Sequence, residues 1–187
     1  MGSLDRDLSG EPYSLLVKLD EPVTLGEAEN RFLLFKNYSF DPSLSPAGKT
    51  VVSASIYSSY SYWEQLSRDK DRYRAEKERI AALVIRTLEK RWPGAAVKVE
   101  VADVATPVTY HRYTGVGKGA YMSWIVPPGK GMLHLSKSLP GLDRFYLIGQ
   151  WTEPPAGLPG SMLTGRHVMQ IICRKDKKPF LAGPREA

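Results

Sequence analysis

Short runs of alternating apolar and polar residues, bounded by turn formers, fill the first third of the chain. Tyr13–Leu19 (YSLLVKL), Arg31–Asn37 (RFLLFKN) and Thr50–Tyr57 (TVVSASIY) are rich in β-branched and aromatic residues, the pattern of strands in an antiparallel sheet. Pro42, Pro46 and Gly48 mark the segment between the last two as a loop. The period then changes. Ser61 and Glu64 stand at capping-box spacing and predict a helical turn over Tyr62–Leu66. A long helix is predicted over Asp71–Arg91, where Tyr73, Ile80, Val84 and Leu88 fall on one stripe with Ala81 and Ile85 beside it. Arg72–Glu76 and Arg74–Glu78 are opposite charges four apart, and Pro93-Gly94 ends the run.

Val97–Asp103 alternates again and reads as a further strand. From Ala105 to Lys130 the chain reads as irregular, crowded with glycine and aromatic residues, a stretch that builds a site if it builds anything. Phe145–Gly149 (FYLIG) is a short apolar run of the kind found in strands buried on both faces of a parallel sheet. Leu158–Cys173 reads as the last helix, with a loose tail after Pro179. The expected fold class is therefore α+β, with an α/β-related end: an antiparallel sheet with covering helices, then a C-terminal strand–loop–helix piece that has no parallel partner strand in this sequence.

Composition adds a few exclusions. Of 187 residues, 42% are apolar and 25% charged, the balance of a globular chain with a true core. No run approaches the ~20 apolar residues of a membrane-spanning helix. The opening MGSLDRDLSGEP is polar and acidic, unlike a secretory or transit signal. A cytoplasmic location with at most peripheral membrane contact is expected. One cysteine, Cys173, rules out a disulfide framework, and it is read as a small buried hydrophobe late in the last helix. His111, His134 and His167 lack any metal-ligand spacing, so no metal site is expected. His111 and His134 are read as surface or hydrogen-bonded residues, and Trp63 and Trp92 as core. The net charge of +6 is mostly interleaved with acids, and no nucleic-acid reading motif accompanies it. The one unbalanced basic run, Arg174–Lys178, reads as a helix end with cations at the negative dipole pole.

Chemistry concentrates in FYLIGQWTEPPAGLPGSMLTGRHVMQIIC, residues 145–173. A strand ending at Gly149 and a helix starting near Leu158–Gly160 would place unpaired amides and a positive dipole end beyond the strand. Gly157 and Gly160 let a flat or anionic ligand approach the backbone. Such a site suits a phosphate or the pyrimidine carbonyl of a flavin; the same pattern also describes a plain strand–turn–helix packing unit. Gly165, one turn in, stands where a close helix–strand contact would need it. Tyr110, Tyr113, Tyr121 and Trp124 either wall an apolar cavity or pack as core beneath a long loop. Arg166 is read as pairing with an acid or a phosphate. Nothing marks a nucleophile, acid or base, so no catalytic residue is named.

At this point the sequence resembles a known family. The apolar run ending Gly149-Gln150-Trp151, the Pro/Gly loop closing with Gly157-Leu158-Pro159-Gly160 and the helix carrying Gly165-Arg166-His167 resemble the C-terminal FAD motif of the phytoene dehydrogenase, carotenoid isomerase and retinol saturase flavoproteins. YWEQL and DRYRAEKERIAALVIRTLEKRWPG are similar to that family's long helix, and ATPVTYHRYTG with KGAYMSW to its site-lining segment. DRDLSGEPYSLLVKL also fits, so the likeness runs from about Asp5 to Phe180. The resemblance implies non-covalent FAD and flavin hydride transfer with long conjugated substrates of carotenoid or retinoid type. It implies a substrate-domain portion over 1–130 and the C-terminal part of an FAD-binding domain over 131–187. Carried over by position, Gly149, Gln150, Trp151, Gly157, Leu158, Pro159, Gly160 and Gly165 are the flavin-side candidates, with Tyr110, Tyr113, Tyr121 and Trp124 on the substrate side. Gln150 stands where related flavoproteins often carry an acid that holds a ribityl hydroxyl; an amide both donates and accepts.

The family's GxGxxG unit is missing. GVGKGA, Gly115–Ala120, follows no predicted strand, opens no helix, and has no Ser or Thr after Lys118, so it is neither a dinucleotide nor a P-loop fingerprint. The expectation is a chain that is catalytically incomplete by itself. Its implied partners are a dinucleotide-binding half, on the same or a separate chain, and a polyene or lipid-like substrate, and open apolar surface is expected to drive self-association. The competing reading is a non-catalytic module derived from that family, binding a hydrophobic ligand or another protein.

Overall fold

The structure, a computed structural model, describes residues 2–126, 128–131, 135–153 and 157–183. The chain divides into two compact units, 1–119 and 120–187. The first is a five-stranded sheet in the order β2-β3-β4-β1-β5, formed by β1 (Gly2–Leu4), β2 (Ser14–Leu25), β3 (Ala28–Asn37), β4 (Thr50–Ser55) and β5 (Val99–Ala102). Every pairing is antiparallel, as the alternation predicts. Together with four α-helices among the described residues this makes the fold α+β.

Period two sets the faces of the sheet. In β3, Leu33, Phe35 and Asn37 point inward and are buried, while Phe32 points outward and is exposed. The edge strand β2 carries Pro22 where its register against β3 shifts, between Lys18 and Val23, a place where a missing N–H is tolerated. Asn30 closes this irregularity. Its Nδ2 donates to the carbonyls of Val23, Ala28 and Tyr57, and its Oδ1 accepts the Tyr57 amide at 2.8 Å. That full complement explains how an amide side chain sits 97% buried.

Helix α1 (Tyr60–Ser67) and helix α2 (Lys70–Arg91) follow. The N-cap of α1 is Ser59, whose hydroxyl accepts the Tyr62 amide; the expected cap, Ser61, lies inside the helix. Asp69 caps α2 by accepting the amides of Asp71 and Arg72. Of the stripe on α2, Ile80 and Leu88 are buried, and Tyr73 and Val84 are half-buried. Leu88 and Trp92 pack on Leu33, Phe35 and Val52 to form the main core, with the Trp92 ring edge-on to Phe35. Leu25, Trp63 and Ile80 form a second cluster bordered by Tyr62 and Tyr73. Both tryptophans are core, as expected.

Two local expectations about α2 and its surroundings change. Glu76 does not turn to Arg72: it takes a two-pronged pair from Arg79 and the Tyr62 hydroxyl at 2.6 Å. Residues 107–114, expected to be irregular, form helix α3 (Pro107–Thr114). Thr106 and Thr109 build a reciprocal capping box with Pro107 in the first turn, and the Thr106 hydroxyl also meets Tyr73 Oη at 2.7 Å. Gly115, in the left-handed region, terminates α3, so the GVGKGA stretch ends an α-helix, and beyond it holds only a 3-10 turn over Gly117–Gly119.

The second unit is built around helix α4 (Leu158–Lys175), which starts where the sequence predicts. The expected strand Phe145–Gly149 does not form a ladder. Tyr146 makes one antiparallel bridge to Ser138, supported by the Leu147 amide donating to the Lys137 carbonyl at 2.9 Å. Strand formation needs a neighbour, and no parallel partner exists among the described residues. Cys173 is half-buried rather than fully buried. Arg166 forms no ion pair among the described residues; its guanidinium stacks 5.6 Å over the Phe180 ring, which draws the start of the tail onto α4.

Candidate functional site

The flavin-side candidates lie together in the second unit, on the turn after Tyr146 and the first turns of α4. Gly149 has φ +109° and ψ 177°, and Gly157 has φ +107° and ψ −167°. Both occupy a backbone region that is essentially restricted to glycine. Gln150–Thr152 form a single 3-10 turn between them. Residues 154–156 of the Pro/Gly loop lie outside the described residues.

Side chains from three places hold this turn in shape. Thr164, fully buried on α4, accepts the Gly149 amide at 2.9 Å and donates to the Ser161 carbonyl at 2.8 Å. Thr152 bonds back to the Gly149 carbonyl through both its amide and its hydroxyl. Trp124 Nε1 donates to the Trp151 carbonyl at 2.7 Å, with the two indoles edge-to-face at 6.4 Å. Lys137 Nζ donates to the carbonyls of Thr152 and Leu135 and pairs with the Glu153 carboxylate at 2.8 Å. Thr164, Thr152 and Lys137 escaped the sequence reading, because hydroxyl and ammonium roles of this kind depend on contacts across the unit.

The N-terminus of α4 has no side-chain cap, so its leading amides keep their hydrogen-bonding capacity and its dipole end is positive. A side chain added at Gly149 or Gly157 would meet nothing among the described residues within 4 Å. The half-buried Gln150 side chain makes no hydrogen bond among the described residues. Uncapped amides, an idle carboxamide and bare glycines form a donor set that fits a flat ring edged with carbonyl oxygens that gain charge. The close contact expected at Gly165 is absent: nothing among the described residues lies within 4 Å of its added Cβ position.

The substrate-side aromatics are divided between the two units. Tyr110 and Tyr113 sit on α3 in the first unit, Tyr121 and Trp124 in the second. All four are between 43% and 77% exposed, so the core-packing reading fails for each. Trp124 is the one of the four joined to a flavin-side candidate, Trp151. Ile125 beside it in sequence, and Leu158 and Met162 on α4, are also exposed apolar side chains. His111 is exposed and its Nδ1 lies 3.0 Å from the Val116 carbonyl, as expected of a surface hydrogen-bonded residue; His134 lies outside the described residues. A polar cavity of about 100 Å³ in the first unit, lined by Ser9, Glu11, Tyr13 and Asn37 among others, is too small for a long apolar ligand. No helix among the described residues is long and apolar enough to cross a membrane.

An α+β chain whose second unit carries two glycine-only backbone positions and an uncapped helix start is what the fold and the site define. The chain is distantly similar to prolycopene isomerases, which are carotenoid isomerases. It is 31% identical over 126 residues to the chloroplastic prolycopene isomerase of Arabidopsis thaliana, covering 67% of this chain and 21% of that protein. The Daucus carota protein of the same name is 30% identical over 146 residues, covering 75% of this chain and 23% of that protein. A prolycopene isomerase of an Oncidium hybrid cultivar is 30% identical over 126 residues, covering 67% and 21%. The chain therefore matches about a fifth of the length of these curated relatives. No family model matches the chain, and no solved structure matches it.

Proposed function

We propose that this chain is the C-terminal, flavin-contacting and substrate-side portion of an FAD-dependent oxidoreductase acting on long conjugated apolar molecules of carotenoid or retinoid type. One observation carries the reading: the stretch that resembles the family's FAD motif holds Gly149 and Gly157 in glycine-only backbone states, the second directly before a helix whose N-terminus has no side-chain cap. The distant likeness to prolycopene isomerases points to the same substrate class. Gly149, Gln150 and Trp151 would hold one edge of the isoalloxazine and the ribityl chain. Gly157, Leu158, Pro159 and Gly160 would set the α4 amides against its pyrimidine carbonyls. When bound, the flavin supplies hydride transfer; this chain's residues orient it and keep an apolar surface beside it. Desaturation, saturation and isomerisation all use that arrangement.

Nothing in the sequence offers the pyrophosphate-binding cradle, so a dinucleotide-binding half is the partner this reading requires. The exposed Ile125, Leu158 and Met162 are the surface we assign to that partner. The test is to assay the chain with FAD and a carotenoid, alone and together with a dinucleotide-binding half from a related enzyme. The chain alone is expected to give no turnover, and the pair to retain flavin and convert substrate. Turnover by the chain alone would overturn its incompleteness; a pair that retains no flavin would overturn the flavin assignment. The exposed apolar residues also support a second reading, a non-catalytic module that binds a hydrophobic ligand or protein. Polyene binding without flavin retention would favour it.

A further inference from the structure

We infer that Lys137 is a positioning residue for the flavin-side turn, acting through the Thr152 carbonyl and the Glu153 carboxylate; this rests on the flavin reading above. The Lys137 side chain is only 9% exposed, and a lysine so enclosed needs its charge and all its donors matched. An ammonium has three N–H donors. Lys137 has three acceptors: the Leu135 carbonyl at 3.0 Å, the Thr152 carbonyl at 2.9 Å and Glu153 Oε2 at 2.8 Å. Two of these lie on the turn that follows Gly149. Its backbone carbonyl meanwhile accepts the Leu147 amide, on the segment that precedes Gly149. Lys137 thus ties together the two arms that enter and leave the glycine.

That matters because a glycine-only conformation persists where neighbouring contacts over-determine it. Thr164 fixes the Gly149 amide, Trp124 holds the Trp151 carbonyl, and Lys137 holds the next carbonyl and the next side chain. Of the three, Lys137 alone brings charge, and its hydrogen bonds are correspondingly strong. Without it, the Leu135 and Thr152 carbonyls lose a charged donor and the Glu153 carboxylate loses the Lys137 cation, and residues 150–153 gain freedom to swing toward water. The Gln150 side chain and the turn's backbone then leave the positions that face a ring.

The experiment uses the full chain, with amide signals followed by NMR during titration with FAD alone. In the wild type, FAD is expected to shift the signals of Gly149, Gln150 and Gly160. In Lys137→Met the apparent affinity read from those signals should fall about tenfold or more, and the Thr152 amide should exchange about tenfold faster, with the signals of α2 and the sheet unmoved. Lys137→Arg should fail to restore affinity, because a planar fork cannot reach three acceptors set for an ammonium. Wild-type affinity in Lys137→Met, or full restoration by arginine, overturns the proposal. If FAD shifts no wild-type signal, the titration is repeated with the dinucleotide-binding half present, where a second failure refutes the flavin reading; Thr152 exchange still judges Lys137, and an unchanged rate refutes the clamp. Should Lys137→Met not fold, Glu153→Gln supplies the same readouts, with a smaller loss expected and wild-type behaviour again contrary.

Discussion

Replacing Thr164 by valine removes one hydroxyl from a fully buried position and little else. The hydroxyl accepts the Gly149 amide at 2.9 Å and donates to the Ser161 carbonyl at 2.8 Å. Valine keeps the branched shape but leaves the half-buried Gly149 amide without the Thr164 acceptor. Leaving a buried donor unpaired costs about 1–3 kcal/mol, whereas the net gain from a satisfied bond is about 1 kcal/mol. The Ser161 carbonyl suffers less, because a helix carbonyl has other donors near it. Hydrogen exchange at the Gly149 amide converts the cost into a rate. Local opening that becomes easier by about 1–3 kcal/mol speeds exchange roughly 5- to 150-fold. Thr164→Ser keeps the hydroxyl and should stay within about threefold of wild type. If valine and serine variants exchange alike, the hydroxyl does not hold Gly149, and the account of the turn as a braced, glycine-only structure is wrong.

Three further predictions address the rest of the molecule. Trp92→Ala empties the core between α2 and β3 and should destabilise the first unit by about 3–5 kcal/mol in urea unfolding; a loss below about 1 kcal/mol would mean the packing of Phe35, Leu88 and Trp92 is not the main core. The Arg79 guanidinium and the Tyr62 hydroxyl hold the Glu76 carboxyl below its ordinary pKa of 4.5, so the unfolded chain takes up that proton first. Stability from this group is therefore full above about pH 4.5 and declines as pH falls through the lowered value, and Glu76→Gln should flatten that acid-side decline in denaturation curves; parallel curves would remove Glu76 from the account. Finally, the chain should self-associate in light scattering as concentration rises, and Met162→Glu, which puts a charge on the exposed apolar side of α4, should reduce that association; a monomer at all concentrations would count against an open docking face.

Elements that depend on neighbours close in sequence were legible from the chain alone. The alternation of Tyr13–Leu19 and Arg31–Asn37 specifies which side chains face inward, because side chains alternate along any strand whatever it pairs with. The stripe and terminators of α2 likewise act within a few residues. Helix α3 was equally local, since Thr106, Pro107 and Thr109 form a capping box with proline in the first turn, but the surrounding glycines and aromatics obscured it. Strand β1 is three residues long, too short to show a period, and exists because β4 and β5 flank it.

The site divides along the same line. Gly149 and Gly157 could be singled out from sequence, and both adopt backbone that favours glycine, whereas Gly160, also singled out, sits within the helix. What holds the turn could not: Thr164 lies 15 positions from Gly149, and Trp124 lies 27 from Trp151. Their types suit many roles, and a hydrogen bond across such spans is set by packing. The segment Phe145–Gly149 shows the opposite case. Its apolar run carries a strand's composition, yet a strand is a relation between segments, and with no parallel neighbour among the described residues only the bridge at Tyr146 forms. Sequence determined which residues are able to bend, cap and alternate; tertiary structure decided which of them meet, because burial and hydrogen bonding between distant segments are properties of the packed unit.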